Sequence, residues 1–492
     1  MRATAARILA SPRLPAVALW AAMAAWAAVL AWLSVQRHRS FWTGRFDMGN
    51  MAQAVWNTAH GRPLETTDVL GEQFVRLGAH VDPILVLFAP LAWTGRLPEA
   101  MLVAQAAIVA AGALPAYRLG RRWLGGPRIG LLAPALYLLY PPLQWATLAE
   151  FHPVTLAAPL LMGAIWAAEE RRWVPLAILA ALAALTKEQV GLALAVLGLW
   201  LAVRGARRAG AALAAAGIAW VALCMAVIIP AFNEGQGSEF LGRYAYLGDS
   251  PGGIVAGALS RPWEVAEVLV QPARLGYLAA LLAPLLFLPL GAPLLAAGAL
   301  PDLAINLLAD WYPHHSFRYH YVAVIVPFLV AAAVLALSRA RPWLARQGLA
   351  TLRVPAAVLV AWALGCGVVL GPLPWWSHVP GGSAERADQY APGAHARTLA
   401  RAVAMVPDGV TVSAGNLAGA HLSERRRILF FPMLDGAEWV VVDRRRPFIF
   451  GDRRPVLHEA RVAALRDDPR FRIVFEEDGV IVARRVGAGE AR

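Results

Sequence analysis

Charged side chains are scarce in this chain of 492 residues. They make up 16% of the sequence, against 59% for hydrophobic residues, and no ordinary soluble domain has that balance. Cysteine is nearly absent, since only Cys224 and Cys366 occur, and both lie inside apolar runs. This argues against a structural disulfide. No Walker motif, dinucleotide fingerprint or zinc-protease helix occurs, which argues against an ATP-driven or redox mechanism within the chain.

Long apolar runs are what the sequence has in abundance. Leu14 to Val35 and Ala211 to Pro230 are two of them, and about 20 apolar residues are enough for a helix to cross a bilayer. The sequence therefore predicts an all-α polytopic membrane protein. The net charge of +13 comes from arginines spread over short loops. We interpret these as topology signals and contacts with the lipid bilayer, with no nucleic-acid partner.

The arginine positions predict the topology. If the N-terminus is cytoplasmic and the first apolar run is an uncleaved helix, about eleven transmembrane helices result and the arginine-rich loops lie inside. The predicted spans are approximately 14–35, 98–117, 129–147, 153–169, 173–187, 189–203, 210–230, 274–290, 292–309, 321–338 and 354–371. The first outside loop then covers about residues 36–97.

One apolar segment does not fit this scheme. Residues 84–93 are too few to cross the membrane, so we interpret them as a juxtamembrane or re-entrant element. If they did cross, every later loop would change sides.

The sequence changes character after residue 371. Pro372, Pro374 and Pro380, with the glycines after them, mark a linker, beyond which charge density rises. Short strands are predicted at 409–414, 428–431 and 439–443, a helix at 456–466 and a hairpin at 471–486. We therefore expect a transmembrane domain, residues 1–371, and a small C-terminal extracytoplasmic α/β domain, residues 372–492, with a structural or substrate-covering role.

Five polar clusters separate the apolar spans, and the predicted topology places all of them on the outer face. They are Phe46-Asp47-Met48-Gly49-Asn50, His80-Val81-Asp82-Pro83, Glu150-Phe151-His152-Pro153, Lys187-Glu188-Gln189 and His314 to Tyr321. An active site assembled from many helices would show this pattern.

The first three of these clusters each contain a carboxylate, in two of them beside an imidazole. Asp47 could accept a proton from a hydroxyl group, or it could cap a helix over residues 51–59. The pairs His80/Asp82 and Glu150/His152 could bind a divalent metal or a phosphate, or could position each other for proton transfer. Both pairs precede a proline, so capping of the next element is the alternative.

The other two clusters contribute cations and aromatic rings. Lys187 could neutralise a phosphate leaving group with Glu188 holding it, or the two could form an internal ion pair at a helix hairpin. The last cluster combines an aromatic belt with donors for phosphate or sugar hydroxyls, at Arg318, Tyr319, His320 and Tyr321. The other large outside loop offers further candidates for the same cleft, at Asn233, Glu234, Arg243 and Tyr244.

These motifs, in this order, resemble the bacterial integral-membrane family called domain of unknown function 2079. The resemblance covers roughly residues 40–340 and again 412–427, with His421-Leu422-Ser423. That family resembles the GT-C superfamily of polytopic glycosyltransferases, which use polyprenyl-phosphate sugars and carry a catalytic acid in the first outside loop. Asp47 matches the position of that acid, although it is a lone residue where several superfamily members have an acidic doublet.

The resemblance implies a glycosyltransferase of the bacterial cytoplasmic membrane. It would move a sugar from a polyprenyl-phosphate donor to an extracytoplasmic glycan, lipid or protein acceptor, with Asp47 as catalytic base. Lys187, Arg318 and His320 would contact the donor phosphate. The remaining expected substrate-binding residues are His80, Asp82, Glu150, His152, Glu188, Tyr319 and Tyr321. A divalent metal is a candidate cofactor, with Asp47, Glu150 and His152 as candidate ligands.

Two other functions fit the same residues. A transporter or flippase of a lipid-linked or anionic solute would use them along a translocation path, and inverted repeats would favour it. The sequence shows no clear repeat. The third hypothesis is a non-catalytic assembly protein for envelope polysaccharide.

Overall fold

The computed structural model describes residues 11–349, 351–385, 387–447 and 455–487. Helices dominate as far as residue 370, and a five-stranded sheet lies in the tail, which is the chain from residue 372 onward. The start of the basic N-terminal segment, residues 1–10, lies outside the described residues.

The helices before the tail are labelled α1 to α19 in chain order. They are Leu14–Arg39, Asn50–Ala59, Leu97–Ala111, Ala113–Leu124, Leu132–Leu139, Pro141–Leu148, Ala157–Glu169, Trp173–Ala184, Val190–Val203, Arg207–Leu223, Ile229–Phe232, Pro251–Ser260, Pro262–Leu269, Pro272–Leu282, Pro293–Ala296, Leu300–Leu308, Ile325–Arg339, Arg341–Arg346 and Arg353–Leu370. Two loops matter below: the first loop, residues 40–96, and the second loop, residues 233–250.

Four of these helical segments among the described residues are long and apolar enough to cross a membrane. They are Leu14–Arg39, Leu97–Leu124, Arg207–Phe232 and Arg353–Leu370. A fifth crossing results if the bent pair Pro262–Leu269 and Pro272–Leu285 forms one span. Shorter apolar helices coincide with other predicted spans, for example Trp173–Ala184 and Val190–Val203. Several apolar helices are thus present, and the total of about eleven crossings stays a prediction.

One predicted span is interrupted directly before a proline. Residues 129–147 form α5 and α6, and Tyr140 between them has an extended backbone. Pro141 begins α6, and a residue before proline is disfavoured in a helical conformation. The Tyr140 hydroxyl donates a hydrogen bond to the Leu281 carbonyl, so the break is tied to α14.

Helix α17 lies at the centre of the bundle. Every residue from Ile325 to Leu337 is buried, as expected for a helix that is apolar on all sides and surrounded by others. It packs against α7, α4 and α5. By contrast few side chains of α1, α10 and α19 are buried, which fits helices at the lipid-facing edge.

Residues Pro83–Thr94 form a 3-10 helix that contains the apolar segment 84–93. Pro83 begins it, and Leu85 and Phe88 pack towards α2 and α3. Leu87 and Trp93 remain exposed. The segment is shorter than the four long spans, and its juxtamembrane or re-entrant placement stays a prediction.

The tail contains a mixed sheet between two helical layers. A short antiparallel pair in the first loop, β1 (Glu65–Thr67) and β2 (Gln73–Val75), precedes it in the chain. The tail elements are α20 (Ala394–Ala404), β3 (Val412–Ala414), α21 (Asn416–Ala420), β4 (Ile428–Phe430), β5 (Trp439–Asp443), α22 (Pro455–Asp467), β6 (Phe471–Glu477) and β7 (Val480–Arg485). The strand order is β4-β3-β5-β7-β6, with β4, β3 and β5 parallel and the rest antiparallel.

Side chains of the tail sheet alternate between its two faces. Val441 packs with Leu399 of α20, whereas Val440 and Val442 pack with Val462 of α22, because successive side chains of a strand point to opposite faces. The strands, α22 and the hairpin lie where the sequence predicts them. Helices α20 and α21 and the strands β1 and β2 are not among the predicted elements.

Helices α9 and α10 pack at two glycine pairs. A Cβ atom on Gly198 would lie 2.5 Å from the Gly210 carbonyl oxygen, and one on Gly191 would lie 2.4 Å from the Gly217 oxygen. Small residues allow close backbone approach where no hydrophobic effect drives association in lipid.

Replacing Gly198 with leucine should therefore destabilise the protein by about 1 to 3 kcal/mol through overpacking. The measurement is the thermal unfolding temperature of the purified protein in detergent. Gly365→Ala is the matched control, since a Cβ atom there meets nothing within 4 Å. Equal unfolding temperatures for the Gly198 and Gly365 variants would contradict this packing.

Candidate functional site

Asp47 lies in a π-helical turn, Arg45–Gly49, that runs directly into α2. We call these five residues the Asp47 turn. The Asp47 side chain makes no capping hydrogen bond to the turn or to α2, so the interpretation of Asp47 as a helix cap is wrong. Short π-helical turns are rare and are frequently found at functional sites.

Glu150 holds the Asp47 turn in place. Its carboxyl oxygens accept hydrogen bonds from the Gly44 N–H, at 3.1 Å, and from the Met48 N–H, at 2.9 Å. These N–H groups lie at a helical N-terminus, where no carbonyl precedes them to accept their bonds. Glu150 therefore supplies acceptors that the turn lacks.

The Glu150 backbone is itself held in an unusual conformation. Its φ is +69°, a left-handed value that costs free energy and tends to occur at functional sites. The Gln105 side chain of α3 spans this strained segment. It donates to the Glu150 carbonyl at 2.8 Å and accepts from the His152 N–H at 3.0 Å.

His152 and His320 stack beside Asp47. The His152 Nε2 atom lies 3.4 Å from Asp47 Oδ1, and the two imidazole ring centroids are 3.6 Å apart. The Nδ1 atom of each histidine has no hydrogen-bond partner among the described residues. The Asp47 side chain is 46% exposed, whereas that of His152 is 6% exposed, so a ligand can reach Asp47 while His152 supports it from behind.

The carboxyl groups of Asp47 and Glu150 have opposite pKa shifts. Burial, followed by the negative charge of Asp47, raises the pKa of Glu150 to about 8. Burial acts on Asp47 in the same direction, but the neighbouring His152, then the charges of Arg76 and Lys187, outweigh it and lower its pKa. Divergent pKa values in a carboxyl pair separate the ionised base from the neutral group. Here Asp47 is the ionised member.

Glu188 connects the Lys187-Glu188 cluster to the first loop. It accepts a hydrogen bond from His80 Nδ1 at 3.1 Å and from the Val81 N–H at 3.0 Å. Burial, then the charge of Lys187, lowers the pKa of His80 to about 4, so a neutral imidazole makes this bond. Phe240 of the second loop stacks on His80 with ring centroids 4.3 Å apart.

Lys187 is left without a carboxylate partner. Its Nζ lies 5.8 Å from the centre of the Tyr321 ring, and no ion pair within 4 Å involves it in the part of the chain that the structure describes. The interpretation of Lys187 and Glu188 as an ion pair at a helix hairpin is therefore wrong, because Glu188 pairs with His80.

Arg243 brings a second cation to the same place. Its Nη1 lies 2.6 Å from His314 Nε2, and the His314 ring stacks on Tyr321 with centroids 3.9 Å apart. Asn306 of α16 accepts from His314 Nδ1 at 3.2 Å and donates to the Tyr321 carbonyl at 2.9 Å. Like Lys187, Arg243 has no carboxylate partner among the described residues.

Two predicted residues have other partners. Asp82 is buried and pairs with Arg76 at 2.8 Å, and Arg76 also donates to the Asn50 side chain at 2.7 Å, so this pair anchors the start of α2. Arg318 pairs with Glu385 of the tail at 3.1 Å and is half exposed. Its guanidinium lies 5.1 Å from the centre of the Trp145 ring. Both arrangements suit a structural role.

The other predicted residues, apart from Tyr319, fall into one polar cluster together with Arg243 and His314. Tyr319 is partly exposed, and burial raises its pKa. The five predicted clusters and the second loop thus meet. The polar cluster comprises Asp47, His80, Glu150, His152, Lys187, Glu188, Arg243, His314, His320 and Tyr321.

The candidate metal ligands do not form a metal site. Among the described residues no group of three or more histidine, cysteine or acidic side chains is arranged to hold a metal ion. Glu150, one of the three candidates, directs both carboxyl oxygens at the N–H groups of the Asp47 turn. Asp47, Glu150 and His152 therefore do not fit a divalent metal, and no step below uses one.

Several residues around the site are not among the predicted ones. Gln105 lies within an apolar span and Asn306 in another. A lone amide in a membrane helix is a usable signal, because polar groups there are costly and tend to be functional. Asp302, buried in α16 with its Oδ2 unpaired among the described residues, has the same signature.

Fold and site together define a polytopic membrane protein whose polar cluster is assembled from loops at the ends of its helices. The family model for predicted membrane proteins called DUF2079 matches residues 37–482. The chain belongs to this family.

Comparison with solved structures finds distant similarity to two structures of an archaeal enzyme. The Archaeoglobus fulgidus oligosaccharyltransferase tethered to an acceptor peptide gives a TM-score of 0.48. The A. fulgidus oligosaccharyltransferase AglB in complex with an inhibitory peptide and a dolichol-phosphate gives 0.44. Each is 13% identical in sequence, and each match covers 86% of this chain and 69% of the other. No curated protein matches the chain in sequence.

The raised pKa of Glu150 predicts how stability depends on pH. The folded protein holds this proton more tightly than the unfolded chain does, since the pKa is about 8 in the folded protein and 4.5 for an ordinary glutamate. This contribution to stability is complete below pH 4.5 and is lost as the pH rises towards 8. Glu150→Gln, which cannot ionise, should flatten the fall in unfolding temperature over that range.

The control for this experiment is Glu72→Gln, since Glu72 is an exposed residue of the first loop. Unfolding temperatures are measured in detergent at a series of pH values. The same slope in wild type and Glu150→Gln would show that Glu150 does not carry the shift.

Proposed function

We propose that the protein is a GT-C-type glycosyltransferase of the bacterial cytoplasmic membrane. It moves a sugar from a polyprenyl-phosphate donor to an acceptor hydroxyl on the extracytoplasmic side. One observation carries the proposal: the polar cluster contains an ionised, accessible carboxylate, Asp47, together with two cations without carboxylate partners, Lys187 and Arg243. A base and an anion site in one cluster are what transfer from a sugar phosphate requires.

The reaction is a direct displacement at the anomeric carbon. The acceptor oxygen forms a bond to that carbon while the bond to the phosphate oxygen breaks. The electron pair of the broken bond leaves with the polyprenyl phosphate, and the acceptor proton moves to Asp47 Oδ2 or Oδ1. His152, 3.4 Å from Oδ1, keeps the carboxylate ionised before transfer and oriented during it.

Lys187 and Arg243 then stabilise the leaving phosphate. They approach the Tyr321 and His314 rings from different chain segments, and His320 lies next to Tyr321 with ring centroids 4.1 Å apart. Cations that lack a carboxylate partner are free to form charge-assisted hydrogen bonds to phosphate. Arg318 is a weaker candidate for this role than the sequence suggests, because Glu385 already neutralises it.

The topology required by this function is part of the proposal. The polar cluster and the tail lie on the extracytoplasmic side, the N-terminus lies inside and about eleven helices cross the membrane. The tail from residue 372 is a domain that packs on the first loop. Membership in the membrane-protein family and the contacts between tail and first loop support this arrangement.

The catalytic role of Asp47 predicts that Asp47→Asn lowers turnover of a polyprenyl-phosphate-hexose by at least ~100-fold, a typical contribution from a positioned general base. The unfolding temperature should change little, because the Asp47 side chain is 46% exposed. Asp249→Asn, at an exposed position of the second loop, is the matched control.

The measurement is release of polyprenyl phosphate by purified protein in lipid nanodiscs. Full turnover in the Asp47 variant would remove this residue from the base role. Movement of the lipid across the bilayer of a proteoliposome without cleavage of the sugar bond would instead indicate a flippase.

The anion site makes a separate prediction for binding. Lys187→Gln and Arg243→Gln should each weaken binding of polyprenyl phosphate by ~10-fold or more, the loss expected for one hydrogen bond to a charged group. Arg96→Gln is the control. Arg96 and Arg39 both contact Glu99, and Arg96 is the more exposed of the two. Unchanged affinity in both cluster variants would place the phosphate elsewhere.

A further inference from the structure

The Asp47 turn has a second anchor in the tail. The Phe46 N–H donates a hydrogen bond to Asn416 Oδ1 at 3.0 Å. Asn416 is the first residue of α21, and it is 9% exposed. Together with Gly44 and Met48, which bond to Glu150, this gives three N–H groups of the helical start a side-chain acceptor.

The tail and the Asp47 turn pack closely against each other at glycine residues. A Cβ atom on Gly44 would lie 2.4 Å from the Asn416 side-chain nitrogen, and one on Gly49 would lie 2.5 Å from the Ser423 hydroxyl oxygen. A Cβ on Gly419 of α21 would lie 2.9 Å from the Arg45 Cβ. Glycine at these positions permits a contact that any side chain would force apart.

Arg45 fixes the same turn from its other side. Its side chain is buried and donates hydrogen bonds to the carbonyls of Thr67 and Ile428, each at 2.8 Å. Its guanidinium also lies 4.1 Å from the centre of the Phe430 ring. An arginine that joins the turn, β1 and β4 in this way leaves the turn little freedom to move relative to the tail sheet.

Other contacts extend this interface without touching Asp47. His421 is sandwiched between His38 and Phe41 at the end of α1, with centroid distances of 4.0 and 3.9 Å. Gln53 donates to the Arg426 carbonyl at 2.8 Å. These contacts dock the tail, whereas Asn416 and Arg45 act on the turn itself.

We propose that Asn416 is a positioning residue for Asp47, so that the tail completes the site and does more than cover it. This rests on the proposed role of Asp47 as base. Glu150 and Asn416 hold the turn from the membrane bundle and from the tail, respectively, and the Asp47 carboxylate is aimed by both. Loss of either acceptor removes a hydrogen bond that fixes the turn and lets the turn relax.

The test compares Asn416→Ala with Asn416→Asp in the full-length protein in nanodiscs. The alanine variant removes the acceptor for the Phe46 N–H, and the aspartate variant keeps one in the same place. Gln73→Ala is the matched control, since it removes a different amide hydrogen bond from the first loop to the tail, the one to the Arg426 carbonyl at 2.9 Å.

Hydrogen exchange of the peptide containing residues 44–49 is the readout that does not depend on activity. We expect Asn416→Ala to speed exchange by about fivefold, as loss of one hydrogen bond of typical net strength would, and Asn416→Asp and Gln73→Ala to resemble wild type. An exchange rate in Asn416→Ala equal to that of wild type would overturn the proposal. An acceleration in Gln73→Ala as large as that in Asn416→Ala would also overturn it, because the effect would then be a general loosening of the tail.

Turnover of a polyprenyl-phosphate-hexose gives the second readout. Asn416→Ala should lower kcat by ~10-fold to 100-fold, since a displacement of about 1 Å can have that effect, while the affinity for polyprenyl phosphate stays at the wild-type value. A loss of affinity with unchanged kcat would contradict a positioning role. If wild type itself shows no turnover, the proposed function fails, whereas the exchange experiment still decides whether Asn416 holds the turn.

Discussion

The hydrogen bonds from the Gly44 and Met48 N–H groups to the Glu150 carboxyl group are the constraint on which the rest of the site depends. They fix the Asp47 turn to a segment of the bundle whose backbone is strained and is held by Gln105. Because Glu150 is committed to these bonds, it is unavailable as a base or a metal ligand. Its pKa is raised by burial, then by the charge of Asp47, although the two hydrogen bonds act in the opposite direction. Asp47 is left as the ionised and accessible carboxylate of the pair.

The bundle provides the rigidity that this arrangement needs. Helix α17 is buried along its length, and α9 and α10 pack at glycine pairs, so the helix ends that carry the clusters cannot shift freely. The functional groups themselves lie in the breaks between helices, at Asp47, Glu150 and Lys187. Polar side chains in such breaks avoid the cost of burial in lipid and still meet one another across the bundle. The division of labour between packed helices and reactive loops is common to many folds.

The sequence was sufficient to predict that the five clusters converge, because the topology predicted from loop charge puts them at the same helix ends. It was not sufficient to predict partners within the cluster. Glu188 pairs with His80, 108 residues away, although its neighbour Lys187 is the obvious candidate. Arg318 contacts Glu385 of the tail, which no local pattern reveals. Short strands of the tail were predictable from runs of β-branched residues, whereas α21, five residues long, exists chiefly through its contacts with the Asp47 turn.

The contact between Phe46 and Asn416 also has a consequence for biogenesis. Its two residues are separated by 370 positions in the chain, so the turn obtains this acceptor only after the intervening chain has been synthesised and inserted. A nascent or truncated protein that lacks the tail carries Asp47 on an incompletely held turn. The order of synthesis thus delays assembly of the polar cluster until the tail has emerged and docked.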